Sequence, residues 1–84
     1  MSYFIVISKH ALKSLENIPE HDYIRIKKVV YSLAENPRPN GFKKLKGRSG
    51  YRIKQGNYRI IYEINDKILT VSVIEIGNRK DIYR

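Results

Sequence analysis

KKLKGRSGYRIKQGNYRIIY, residues 43–62, holds seven Lys or Arg residues and no acid, inside an acid-free run from Asn36 to Tyr62. From Tyr51 onward two alternating runs, YRIKQ and YRIIYEI, are separated only by Gly56 and Asn57. Glycine first in a two-residue loop between β-prone runs signals a type II′ or I′ hairpin. Such a loop sets Gln55 opposite Tyr58, Lys54 opposite Arg59, Ile53 opposite Ile60 and Arg52 opposite Ile61. Side chains alternate across a strand, so Arg52, Lys54 and Arg59 are expected on one face. Tyr51, Ile53, Ile60 and Tyr62 take the other.

Two cations directly opposite each other on a sheet repel. A chain that keeps Lys54 against Arg59, after Lys43, Lys44, Lys46 and Arg48, calls for an external anion, and phosphate is the first candidate. A solvated outer face explains any one of these cations, since exposed charges are the common case. It explains the three hairpin cations together less well. The hairpin is read as the functional centre.

Eighty-four residues are expected to form one domain over residues 1–84, burying roughly 60–65% of the surface of the unfolded chain. No repeat or low-complexity tract is visible, and 42% hydrophobic content is near the globular norm. No apolar run approaches the ~18–20 residues of a membrane span, and no stretch reads as a signal peptide. A cytoplasmic location without a membrane partner is therefore expected. The absence of Cys fits that compartment and excludes disulfides and thiolate sites. A net charge of +9 favours a polyanionic partner, nucleic acid first.

Tyr3 to Ile7 reads as a buried strand. Ser8 is placed to cap a helix from Lys9, with Ala11, Leu12 and Leu15 as its buried stripe. Asn17, Ile18 and Pro19 break it, and a second helix is expected from about Glu20 to Glu35, burying Tyr23, Ile26, Val30 and Leu33. Pro37, Pro39 and Asn40-Gly41 lead into the basic stretch. Beyond the hairpin, Asn65-Asp66-Lys67 is a turn and Ile68 to Ile76 the longest strand, ended by Gly77 and apolar enough to lie centrally. The pattern predicts an α+β domain. An N-terminal strand and a two-helix hairpin precede an antiparallel meander of three strands, with both helices on one face of an antiparallel sheet. The hairpin cations are expected on the uncovered face.

His10 and His21 fall on different expected helices, and the eight acids form no cluster, so neither a metal site nor a carboxylate pair assembles. No metal or cofactor is expected. Without Cys, and with His10 and His21 on different expected helices, a nucleophilic triad has no support either. Phosphodiester chemistry driven by cations remains, because RNA brings its own nucleophile, the 2′-OH. Arg keeps its proton, so Arg59 suits clamping a phosphate and its growing charge. Like charge from both neighbours disfavours an ammonium, which suits Lys54 to proton transfer. Arg79 and Tyr83, four apart, can share one side of a helical turn. There Arg79 can hold a second phosphate oxygen. Tyr83 can stack on a base, join proton transfer, or simply close the edge of the core.

NPRPNGFKKLKGRSGYRIKQGNYRIIYEI followed by VIEIGNRKDIYR resembles the RelE/ParE superfamily of toxin–antitoxin toxins, and most closely its RelE branch of messenger-RNA interferases. The resemblance covers nearly the whole chain. It implies metal-free cleavage of messenger RNA in the ribosomal A site by 2′-OH attack on the adjacent phosphate. By motif it also implies Arg52 (a Lys in many members), Lys54, Arg59, Arg79 and Tyr83 as the catalytic set. Lys43, Lys44, Lys46 and Arg48 are the expected RNA-binding set. Expected partners are a cognate acidic antitoxin, the ribosome with its messenger, and operator DNA only through the antitoxin complex. Two alternatives are a ParE-like gyrase inhibitor, a branch lacking this residue set, and a non-catalytic basic nucleic-acid-binding module.

Overall fold

The computed structural model describes residues 2–78. Its elements are β1 (Phe4–Ile7), α1 (Lys9–Glu16), α2 (Glu20–Ser32), β2 (Lys43–Lys44), β3 (Tyr51–Gln55), β4 (Tyr58–Asn65) and β5 (Thr70–Asn78). One sheet holds the strands in the order β1-β5-β4-β3-β2, with β1 parallel to β5 and the other pairs antiparallel. The expected α+β class, the two helices and the meander β3-β4-β5 are all present. The sheet itself is mixed, because the helices carry the chain to β2 at the far edge and the meander then brings β5 back beside β1 in the same direction.

The hairpin register is the one the sequence demands: Tyr51 faces Tyr62, Arg52 faces Ile61, Ile53 faces Ile60 and Lys54 faces Arg59. Gly56 has φ +61°, and among the described residues only Leu69 is a non-glycine with positive φ. Asn57 therefore has negative φ, which fits a II′ turn rather than I′, where both central residues need the left-handed region. The inward face of the sheet carries Ile60, Tyr62, Val71, Val73 and Ile76. These pack on Ala11 and Leu15 of α1, on Ile26 and Val30 of α2, and on Leu33.

Each helix end has a local cause. Ser8 Oγ accepts from the Ala11 amide at 3.0 Å and donates to the Ile74 carbonyl at 2.7 Å, so the α1 cap is also a tie to β5. That tie lands on a β-bulge. Ile61 pairs with Glu75 but Tyr62 with Val73, leaving Ile74 as the extra residue. The bulge shifts the alternation of β5, so Ile76 joins Val71 and Val73 on the core face and Glu75 is kept off it.

Several expectations need correction. Helix α2 stops at Ser32, not Glu35, because the amides of Ala34 and Glu35 turn to carbonyls three residues back. Leu12 is 49% exposed and leaves the buried stripe to Ala11 and Leu15. The first strand is not buried on both faces. As an edge strand it sends Ile5 and Ile7 to the core and leaves Phe4 75% and Val6 53% exposed. The longest strand, β5, begins at Thr70 because the Asn65 side chain accepts from the amides of Lys67 and Ile68 and holds Ile68 and Leu69 in the turn. It runs through Gly77 to Asn78 and lies inside the sheet as expected, between β1 and β4, the middle strand of the five. The short strand β2 had no alternating run to announce it.

Candidate nucleic-acid interface

Residues paired across strands share a face, so the register lays the outward side chains in rows. Lys43, Arg52, Ile61 and Glu75 form one row across β2, β3, β4 and β5. Lys54, Arg59 and Gly77 form the next. Two cation pairs, Lys43 with Arg52 and Lys54 with Arg59, therefore stand in adjacent rows. Gly77 places no side chain beside Arg59.

Arg52, Lys54 and Arg59 come together with Lys43, Asn40, Gly41 and Ile53 around a cavity of about 370 Å³. A second cavity, of about 560 Å³, is lined by Lys43, Lys44, Leu45, Lys46, Arg48, Arg52 and Ile61. All four expected RNA-binding residues thus border the cavity next to the hairpin cations. No acid is among the described residues lining either one. Arg79 and Tyr83 lie outside the described residues.

One feature of this face corrects the sequence reading. The hairpin cations were expected in the open, yet Arg59 is 3% exposed and Ile61 is buried beside it. Both stand on β4, the middle strand, where an outward side chain has neighbours on both sides. Lys54 is exposed and Arg52 lies between the extremes. The three cations thus form a graded set from rim to floor. A guanidinium in a poorly solvated floor attracts an entering phosphate more strongly than the same group in water.

The support beneath and beside the cations is specific. Phe42, Tyr51 and Tyr62 form a run of rings, with centroids 5.6 and 6.0 Å apart. The buried Tyr62 hydroxyl donates to the Pro37 carbonyl at 2.8 Å, and burial pushes its pKa up to about 12. Arg38 donates to both oxygens of Asp66, at 2.9 and 3.3 Å, and the Tyr3 hydroxyl donates to the same carboxylate at 2.6 Å. The hydrogen bonds from Arg38 and then Tyr3 hold the Asp66 carboxyl below its ordinary value. These contacts fix the segment that ends in Asn40 and Gly41, two walls of the smaller cavity. Sequence reasoning missed this clasp, since its members are 63 and 28 residues apart.

Known proteins share this fold. A family model described as the ParE toxin of type II toxin–antitoxin systems matches residues 5–83. The chain is 31% identical to the mRNA interferase toxin RelE of Escherichia coli K12, over 95% of this chain and 86% of that protein. It is 33% identical to toxin RelE3 of Methanocaldococcus jannaschii, over 94% and 93% respectively. In the archaeal RelE–RelB complex from Pyrococcus horikoshii, a chain superposes with a TM-score of 0.84 at 29% identity, covering 94% of this chain and 97% of that one. The intact Escherichia coli RelBE complex gives 0.79 at 30% identity, over 92% and 96%. From its matched residues and its relatives, the chain belongs to the RelE/ParE superfamily of type II toxin–antitoxin toxins.

Proposed function

We propose that this protein is a ribosome-dependent endoribonuclease of messenger RNA, one toxin domain over residues 1–84, acting in the cytoplasm and held in check by a cognate acidic antitoxin. The observation that carries this reading is the cavity bordered by Arg52, Lys54, Arg59 and Lys43, with no acid among its described lining. Its volume, about 370 Å³, has room for one phosphate and its flanking sugar. The 2′-oxygen attacks phosphorus and the bond to the 5′-oxygen breaks. Arg59 holds the non-bridging oxygens as their charge grows, from the floor where it is worth most. Lys54, at the rim, moves the proton, and Arg52 steers the chain in. Arg79 serves as a second phosphate clamp and Tyr83 as the stacking or proton-transfer group.

Cations alone give thin acid–base equipment, so alignment of the 2′-OH by another body supplies much of the effect, up to ~7–11 kcal/mol. The ribosomal A site is that body, and no divalent metal enters the chemical step. The solved relatives include toxin–antitoxin complexes, RelE with RelB. Here an acidic antitoxin segment meets the +9 chain, and operator DNA is reached only through that complex.

The test compares naked messenger with the same messenger on stalled ribosomes, in buffer exchanged to cobalt hexammine. Cutting only on the ribosome, with 2′,3′-cyclic phosphate and 5′-hydroxyl ends, is expected. Efficient cutting of naked RNA, or 5′-phosphate ends, overturns the mechanism. The ParE description of the matching family keeps gyrase inhibition as a second reading. A supercoiling assay with purified gyrase separates the two.

A further inference from the structure

A third cavity, of about 710 Å³, adjoins the cation-lined ones and lies within the ~300–1,000 Å³ usual for ligand sites. The second and third cavities share Lys44 and Arg48, and the first and second share Lys43 and Arg52. Sharing these walls, the three follow one another as a trough along β4, from Arg59 to Asn65, about 20 Å at ~3.4 Å per residue. Glu63 is the single acid among the described residues that line it.

A carboxylate in a trough for a polyanion repels phosphate, so it needs a different ligand. Ser49 Oγ donates to Glu63 Oε2 at 2.8 Å and fixes the carboxylate's orientation. Around it stand the exposed apolar side chain of Ile68 and the hydroxyls of Thr70 and Ser72. Lys44 and Arg48 flank the cavity on the side of the cations. The set matches a nucleobase with its phosphates: apolar contact for the ring face, cations for the backbone, and one acceptor for the base edge. A carboxylate accepts from the amines of cytosine, adenine and guanine. Uracil offers one N–H between two carbonyls, whose oxygens the carboxylate repels.

We infer that the Glu63 cavity is a base-reading subsite that favours an amine-bearing base over uracil at one fixed position from the cut. The inference rests on the interferase reading above. Glu63 is a specificity residue, about two rows of the sheet from the cations that hold the reacting phosphate.

The experiment programs ribosomes with a messenger library randomised around the A site and sequences the new ends made by wild type, Glu63→Gln and Ser49→Ala. Wild type is expected to disfavour uracil at one position roughly tenfold, the scale of a single good base contact. Glu63→Gln flattens that preference with cutting otherwise retained, and Ser49→Ala, which removes only the hydroxyl that orients the carboxylate, weakens it less. A wild type that cuts with no base preference overturns the inference alone, whatever the variants do. A wild type that cuts nothing overturns the interferase reading and this inference with it. Equal flattening in Glu63→Gln and Ser49→Ala assigns Glu63 to anchoring its loop instead, and overturns base reading. An unchanged profile in Glu63→Gln, together with weaker antitoxin binding, moves the carboxylate to a protein contact and overturns it too.

Discussion

The two faces of the β3–β4 hairpin are built from the same two strands, and they obey different rules. Tyr51, Ile53, Ile60 and Tyr62 face the helices and belong to the core or pack against it. Arg52, Lys54 and Arg59 face away and border a cavity. Apolar contact is gained on one side, while like charges are held together on the other. The surprise is that burial does not separate the faces, since Ile60 and Arg59 are both nearly inaccessible. What separates them is the company each buried group keeps: Ile60 packs among the apolar side chains of the core, and Arg59 lines a cavity among other cations. Stability and chemistry therefore come from alternate residues of one strand.

Substitutions one position apart test that separation. Ile60→Ala empties core volume and is expected to remove about 2–5 kcal/mol of stability, read by denaturant melts. Cutting per folded molecule should stay near wild type. Arg59→Met fills the space left by a buried side chain and relieves the repulsion from Lys54. Its melting temperature should match or exceed wild type, while single-turnover cutting on ribosomes falls by ~10²–10³, as for loss of one charge-stabilising donor. If Arg59→Met unfolds and Ile60→Ala loses its chemistry, the two faces are not separable and the comparison fails. Ala at position 59 is the poorer probe, because it leaves a void where an exposed residue would leave none.

Tyr62→Phe sharpens the inner face alone. Loss of the bond to the Pro37 carbonyl is expected to cost about 0.5–1.5 kcal/mol near neutral pH. Wild type carries a second signature. The fold holds Tyr62 as the neutral phenol, with its pKa raised from 10.0 to about 12. That contribution is complete below pH 10.0 and lost as pH rises from there through about 12. Alkaline melts of Tyr62→Phe should lack this step.

The smallest effect belongs to the exposed clasp. The carboxyl of Asp66 sits below its ordinary value of 3.8 in the fold. Its contribution is full above 3.8 and lost as pH falls through the lower folded value. Acid-side melts of Asp66→Asn should decline less steeply than wild type. A parallel decline shows that the clasp with Arg38 and Tyr3 does not couple to folding.

The sequence by itself determined the hairpin register, the II′ or I′ class of its turn, the Ser8 cap and the sharing of one face by Arg52, Lys54 and Arg59. Period-two alternation around a two-residue loop admits one register, and a cap is a contact between near neighbours. Only the tertiary structure decided that Arg59 is a floor rather than a rim, since its depth depends on lying on the middle of five strands. It also decided that Lys43 and Lys44 form a strand, that a bulge at Ile74 turns Glu75 off the core face, and that Arg38 and Tyr3 meet at Asp66. Each of these depends on which segments come to lie side by side, and local pattern carries no information about which partner will close over a side chain.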